Sequence, residues 1–203
     1  MGSGIITISR QFGSGGHEVG KKLSEKLGIK LYDKELVEIL AKQENLDTKY
    51  VAANEEKYMP SICPIMHGFS IPIYYQNAPT DEIFIKQAKL IKKMAEYGPG
   101  VFIGRCADYI LQSFSPINCF IYSEMKERIK RKMSMVPSNV KITEYEMMRR
   151  IKDIDKQRAK YHEFYSDSKW GDMKEYDLCI CTDKIGIDGA VEVIETYYHK
   201  CFG

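Results

Sequence analysis

The segment from residue 5 to residue 20, IITISRQFGSGGHEVG, constrains the fold more than any other part of the sequence. A run of alternating β-formers leads into a cluster of glycines, and the cluster opens a segment with helical spacing. Such a corner brings backbone N–H groups and the positive end of a helix dipole to one point, which suits a phosphate. Gly13, Ser14, Gly15 and Gly16 have this placement. A glycine-rich turn without a ligand is the alternative, and the strict phosphate-loop pattern would have a lysine at position 16.

The remaining pattern predicts an α/β fold with about five parallel strands and helices on both faces of the sheet. Four further short segments are largely apolar, at residues 29–33, 101–104, 118–122 and 177–182. Helical spacing is found at residues 19–27, 34–43, 83–97, 124–134, 143–165 and 187–198. Apolar strands that alternate with helices are typical of a parallel sheet covered on both faces. The stretch from residue 44 to residue 80 carries four prolines and no clean periodicity, so we expect a long excursion that binds or covers something.

Composition excludes several classes of protein. The 203 residues are 44% hydrophobic and 29% charged, with a net charge of +2, which indicates neither disorder nor a membrane-spanning segment. Basic residues cluster only locally, at residues 126–132 and 149–160, so a small anion is favoured over a nucleic acid as the partner. No signal peptide is apparent, so we expect a cytoplasmic protein. The six cysteines lack metal-site spacing, so we expect reduced thiols. We expect a monomer or a homodimer.

Three longer stretches resemble a known family. Residues 6–33, ITISRQFGSGGHEVGKKLSEKLGIKLYD, are similar without gaps to the opening of bacterial cytidylate kinases. They are closer still to the cytidylate kinase-like family, whose members begin with SRQ-x-GSGG. Residues 100–111, GVFIGRCADYIL, resemble that family's third-strand segment, and RRIKDIDKQR with WGDMKEYDLCICT resembles its lid and fifth strand. The resemblance is weakest over residues 44–82.

This resemblance implies a P-loop nucleoside monophosphate kinase that uses Mg²⁺ to transfer the γ-phosphoryl group of ATP to CMP or dCMP. It implies a single P-loop kinase-like domain over residues 1–203, with an acceptor-side insertion at about 44–97 and a lid at about 124–165. The ATP phosphates would lie on Gly13 to Gly16, with His17 and Glu18 beside them. Gly16 takes the place of the kinase lysine, and Glu18 takes the place of the Mg²⁺-binding hydroxyl and is a candidate Mg²⁺ ligand.

Two nearby side chains could replace the missing lysine. Arg10 lies at the carboxyl end of the first strand, where ligands of open α/β sheets bind, and we therefore favour it. His17 heads the following helix and could also reach a phosphate, or could simply be the residue that starts the helix.

The resemblance places four residues near the acceptor nucleotide: Asp33, Arg105, Asp155 and Arg158. Asp108 follows the third strand, so in a parallel sheet it points toward the same edge as Asp33 and is a fifth candidate. Arg105 would grip the acceptor phosphate with its guanidinium. Asp33 follows the second strand and has an alternative role as a helix N-cap. Asp155 and Arg158 are three residues apart, so they could also pair with each other on one face of a helix.

Basic residues of the lid are the remaining candidates for the reaction. They are Arg128, Arg131, Arg149 and Arg150, which would close over the transferring phosphate. With Arg10, we expect Arg131 and Arg150 to be catalytic. A solvated basic face is the alternative for each of these arginines.

Three functions stay open at this level. One is a cytidylate-type kinase with an unusual phosphate loop. Another is a nucleotide-binding regulatory module without transfer activity, and the third is a P-loop kinase for a different small acceptor.

Overall fold

The computed structural model describes residues 4–33 and 79–203, which contain a five-stranded parallel sheet. The strands are β1 (Ile5–Arg10), β2 (Lys30–Tyr32), β3 (Gly100–Ile103), β4 (Ile117–Tyr122) and β5 (Leu178–Cys181). Their order is β2-β3-β1-β4-β5, with β1 at the centre. The predicted α/β class with five parallel strands is confirmed.

Helices connect the strands. They are α1 (Gly16–Leu27), α2 (Pro79–Ala95), α3 (Ala107–Ile110), α4 (Met125–Met133), α5 (Glu144–Ser166) and α6 (Thr182–Phe202). The last helix begins at Thr182 rather than at the predicted Ile187, and it is kinked at Gly186. The predicted helix at 34–43 and the first part of the predicted insertion lie outside the described residues. None of the helices in the described ranges combines the length and the apolar composition that a bilayer crossing needs.

The two faces of the sheet build two cores, because successive side chains of a strand point to opposite faces. Ile6 and Ile8 pack with Val19 and Leu23 of α1 and with residues of α6. Ile5 packs on the other face, with residues of α2, α3 and the end of α5. Both faces are therefore covered, as the apolar strands predicted.

The cysteines of the strands differ in burial, and the described cysteines are all reduced, as expected. Cys119 of the inner strand β4 is fully buried, and burial raises the pKa of its thiol. Cys179 is exposed, because β5 is an edge strand whose Ile180 side alone joins the core shared with α6. Cys106, Cys119, Cys179, Cys181 and Cys201 are all free thiols.

Candidate functional site

The loop between β1 and α1 is held in one conformation by its own chain. Gly13 and Gly15 have φ values of 83° and 88°, in the left-handed region that glycine adopts without a steric penalty. The Ser14 hydroxyl donates to the Gln11 carbonyl at 2.8 Å, and the Thr182 hydroxyl donates to the Ser14 carbonyl at 2.8 Å. Gly15 is the N-cap of α1, so the loop delivers the positive end of this helix to the edge of the sheet.

A cavity of about 260 Å³ lies in front of this helix end. Its wall carries more positive than negative charge, because four Arg or Lys side chains face only two carboxylates there. The lining residues are Arg10, Gln11, Phe12, Gly13, Gly15, Gly16, His17, Glu18, Asp33, Arg131, Lys132 and Arg158. A small anion with several oxygens suits such a wall.

The missing lysine has a steric explanation. Gly16 is the first residue of α1, and a Cβ atom there would lie 2.5 Å from the Cβ and 3.0 Å from the Cγ of Arg10. The root of the Arg10 side chain therefore occupies the space that a side chain at position 16 would enter. Arg158 donates to the Arg10 carbonyl at 3.1 Å and holds the end of β1 from the lid side.

The second and third strands bring Asp33 and Arg105 together. Arg105 Nη1 lies 3.3 Å from Asp33 Oδ1, and it also donates to the Ile103 carbonyl at 3.2 Å. His17 Nδ1 lies 3.0 Å from Asp33 Oδ2. Arg105 and Cys106 have positive φ values of 57° and 51°, a left-handed turn that non-glycine residues adopt at a cost. His17 therefore does more than start a helix, since it links the phosphate loop to the predicted acceptor side.

Asp155 contacts the peptide of Phe12, directly before the glycine loop. Its Oδ1 accepts the Phe12 N–H at 2.7 Å, and its Oδ2 pairs with Nη2 of Arg128. Arg128 Nε donates to the Phe12 carbonyl at 3.0 Å, and Arg131 donates to the Gly13 carbonyl at 2.6 Å. Burial raises the pKa of the Asp155 carboxyl, although the Phe12 N–H and the charge of Arg128 oppose the rise. The buried Arg128 takes the Asp155 carboxylate as its counter-charge, and the acceptor role of Asp155 stays a prediction.

Comparison with known proteins then identifies the family, since the model of the cytidylate kinase-like family matches residues 5–184. The chain belongs to this family. A comparison with functionally curated proteins found no match.

Solved structures with similar folds extend over nearly the whole chain. A crystal structure of an uncharacterized protein from Eubacterium ventriosum has 34% sequence identity and a TM-score of 0.71, covering 96% of this chain and 98% of that one. Shikimate kinase from Bacteroides thetaiotaomicron has 11% identity and a TM-score of 0.57, with 96% and 98% covered. Shikimate kinase from Acinetobacter baumannii, in complex with shikimate, has 12% identity and a TM-score of 0.54, with 98% and 95% covered. The cytidylate kinase-like chain therefore has the fold of P-loop kinases.

Asp108 of the cytidylate kinase-like chain does not line the cavity, and its place beside the acceptor stays a prediction. Its Oδ2 lies 2.6 Å from His162 Nε2, and both side chains are less than one-tenth exposed. Its buried Oδ1 has no hydrogen-bond partner within the described ranges. Burial lowers the pKa of His162, but the hydrogen bond and charge of Asp108 outweigh burial and leave that pKa raised. No sequence signal distinguished His162, a lone histidine within a helical segment.

The predicted catalytic arginines do not all reach the cavity. Arg10 and Arg131 line it, whereas Arg150 is exposed and is not among the lining residues. The neighbouring Ile151 is fully buried, and successive residues of a helix point in different directions, so Arg150 faces outward. Arg149 is exposed as well. Lys132 lines the cavity but was not singled out from the basic run at 126–132.

Proposed function

We propose that this protein is a kinase that transfers the γ-phosphoryl group of ATP to the phosphate of CMP or a similar nucleoside monophosphate. One observation carries the proposal: a single cationic cavity joins the phosphate loop to Asp33, which in turn holds Arg105. Arg105 itself lines a smaller neighbouring pocket, together with Arg10 and Arg158. Phosphoryl transfer between two nucleotides needs donor and acceptor features side by side, because the reaction depends on positioning and on charge neutralisation.

The donor phosphates would lie on the loop from Gly13 to Gly16, with their charge balanced by Arg10, Arg131 and Lys132. Gly15 supports this assignment, because it lines the cavity and has a backbone conformation that favours glycine. Arg10 supplies the cation that a loop lysine supplies elsewhere, and it does so from the end of β1. Because β1 is the central strand of the sheet, this cation has a rigid base.

The residues present fit a Mg²⁺ ion that arrives with the nucleotide. Such an ion takes one or two carboxylates and completes its octahedron with phosphate oxygens and water, so a protein cluster of three ligands is not required. Glu18 lines the cavity and would hold the ion directly or through water. When bound there, the ion would supply positive charge that offsets the charge developing on the phosphate oxygens.

On the acceptor side, Arg105 would hold the acceptor phosphate. Its guanidinium is 6% exposed and is oriented by Asp33 and the Ile103 carbonyl, so little freedom remains to be lost on binding. An acceptor phosphate oxygen forms the new bond to the γ-phosphorus as the bond to the β,γ-bridging oxygen breaks. An ionised phosphate needs no base to remove a proton.

A second candidate function is that of a P-loop kinase for a different small acceptor. The contacts of Asp108 and Asp155 favour it. Asp108 is paired with His162 and Asp155 is paired with Arg128, so two of the five residues expected at the acceptor have other partners. An acceptor recognised without those two carboxylates would suit the same cavity.

A coupled assay with ATP, Mg²⁺ and a panel of nucleoside monophosphates tests the proposal. We expect ADP and CDP from ATP and CMP, and we expect Arg105→Lys to raise the KM for CMP while a substitution of an exposed basic residue, Lys200→Arg, changes nothing. ATP binding by calorimetry without turnover of any nucleoside monophosphate would overturn the proposal and favour the second candidate or a binding module.

A further inference from the structure

The peptide of Phe12, which directly precedes the glycines of the phosphate loop, is held by side chains from two different helices. Its N–H donates to Asp155 of α5 at 2.7 Å, and its carbonyl accepts from Arg128 Nε of α4 at 3.0 Å. Arg128 Nη2 and Asp155 Oδ2 complete the ring by pairing with each other. We call this closed ring of Phe12, Arg128 and Asp155 the loop clamp.

Burial makes the loop clamp costly, which indicates that it does more than stabilise the fold. The Arg128 side chain is 4% exposed and the Asp155 side chain 17%. A buried ion pair often contributes no more stability than apolar side chains of similar size would. What apolar side chains cannot do is bond the N–H and the carbonyl of one peptide at the same time, and so fix its orientation.

The surroundings of Phe12 extend the same restraint into the cavity. Its ring lies under Lys132 Nζ at 4.6 Å and under the Arg158 guanidinium at 5.8 Å, both distances being to the ring centroid. Arg131 holds the next carbonyl, that of Gly13, at 2.6 Å. Each of these side chains comes from α4 or α5, the helices of the predicted lid, and each of the three lines the cavity.

We propose that Arg128 and Asp155 are positioning residues for the donor nucleotide. They fix the Phe12 peptide, and through it they aim the N–H groups of Gly13 to Gly16 at the phosphates. This assignment rests on the proposed function for the identity of the donor. It moves Asp155 from the acceptor side, where family resemblance places it, to the donor side, and the two placements predict different binding defects.

Two conservative substitutions test the clamp. Asp155→Asn removes the charge that pairs with Arg128, and Arg128→Lys removes the fork that reaches both Phe12 and Asp155. Asp153→Asn and Lys200→Arg are the controls, because both residues are exposed and neither lies in the cavity wall. We expect ATP·Mg²⁺ affinity, measured by calorimetry, to fall about tenfold in each clamp variant, while CMP affinity and both controls stay unchanged.

Amide hydrogen exchange over residues 9–16 gives a readout that does not depend on any nucleotide. We expect exchange in this segment to be at least about tenfold faster in the clamp variants than in the wild-type protein or the controls, because the oxygen that accepts the Phe12 N–H loses its charge in Asp155→Asn and its support in Arg128→Lys. A fall in CMP affinity with ATP affinity and exchange unchanged would overturn the proposal and return Asp155 to the acceptor side.

Asp155→Asn leaves the buried charge of Arg128 without its partner and Arg128→Lys weakens the pairing, so a double variant guards against simple unfolding. Arg128→Met combined with Asp155→Leu removes both charges, and circular dichroism reports whether the variant is folded. The folded double variant should bind CMP normally and ATP weakly, and wild-type ATP affinity in it would overturn the clamp. Absence of CDP formation by the wild-type protein would count against the proposed function alone, since the exchange measurement still decides the clamp.

Discussion

At the scale of single residues, the position of Arg10 explains why residue 16 is a glycine. Position 16 must be glycine because Arg10 lies against it, and Arg10 is therefore placed to supply the charge that a lysine at position 16 would have supplied. Rebuilding an ordinary P-loop with Gly16→Lys would bring the new side chain against the Arg10 Cβ. We expect that substitution to disturb the loop rather than to restore a conventional site.

Replacing Arg10 with alanine should lower turnover by about two orders of magnitude or more, the scale of losing one preorganised charge-stabilising donor. The fold should survive, because the Cβ that fills the space beside Gly16 is kept. His17→Ala, which removes an exposed side chain from the same cavity, should cost much less. Steady-state kinetics of both variants, with circular dichroism as the check on folding, would decide the question. Equal losses from both variants would mean that the two cations share the role, and full activity of Arg10→Ala would rule out Arg10 as the substitute for lysine.

Sequence predicted where these residues would lie better than what they would touch. Arg10 ends a strand and Asp33 and Arg105 each follow one, and parallel strands bring such residues to one edge of the sheet. Asp155 lies on a helix above that edge, where several cations compete for its carboxylate. Which basic side chain pairs with Asp155 depends on how α4 and α5 cross, and no local spacing in the sequence specifies that crossing.

At the scale of elements, the buried pair of Asp108 and His162 ties α3 to α5. Removing one partner of a buried pair typically costs about 3–5 kcal/mol of stability. The pKa of His162 is raised in the folded protein, since Asp108 outweighs the effect of burial. Its contribution to the free energy of unfolding is therefore complete below the unfolded pKa, about 6.5, and is lost as pH rises through the higher folded value. Arg105 and Arg158 line the small cavity beside His162 and oppose its charge.

We therefore expect His162→Gln to destabilise the protein more at pH 6 than at pH 8.5. Urea unfolding at a series of pH values gives the difference in free energy of unfolding between wild type and variant. His199→Gln, at an exposed histidine of α6, is the matched control for loss of a histidine. A wild-type advantage that is constant across this range, or that grows with pH, would show that His162 is not protonated in its pair with Asp108.

The elements themselves were largely predictable, because buried parallel strands are short apolar runs and amphipathic helices carry their own period. The order of the strands could not be predicted in the same way. β1 pairs with β3 and with β4, which are distant from it in sequence, and no local pattern specifies such partners. The exposure of Cys179 depends on β5 being at the edge, which is a property of that order. Because α6 begins as early as Thr182, the hydroxyl of that residue can donate to the Ser14 carbonyl and support the glycine loop.

At the scale of the whole molecule, the cavity is assembled from parts of the chain that are far apart in sequence. Its wall is formed by the loop after β1, Asp33, the end of α4 and Arg158 of α5. Thr182 of α6 supports the loop through its hydrogen bond to Ser14. A ligand in this cavity therefore stabilises contacts between most elements of the fold. Nucleotide binding should therefore raise the free energy of unfolding of the whole domain, and not only protect the residues around the cavity.

The last prediction uses two glycines with the same backbone constraint. Gly15 and Gly28 have φ values of 88° and 64°, so alanine at either position costs about 1 kcal/mol for a left-handed conformation. Only Gly15 lines the cavity, and a Cβ there would lie 2.2 Å from Ile187 Cδ1, whereas a Cβ at Gly28 meets nothing within 4 Å. The flexible end of Ile187 can turn aside, so both variants should fold with a similar loss of thermal stability.

Their response to nucleotide should differ. ATP·Mg²⁺ at 100 times its dissociation constant should add about 2.7 kcal/mol to the free energy of unfolding of the wild-type protein. For a chain of this size that is a rise in Tm of roughly 2–4 °C per kcal/mol. Gly28→Ala should keep the whole shift at the same ATP concentration, and Gly15→Ala should lose most of it, because the added methyl group changes the mouth of the phosphate loop. Thermal unfolding scans with and without ATP·Mg²⁺ measure both shifts. Equal shifts in the two variants would mean that the nucleotide stabilises the protein from some other surface, and the donor site would then have to be placed away from the glycine loop.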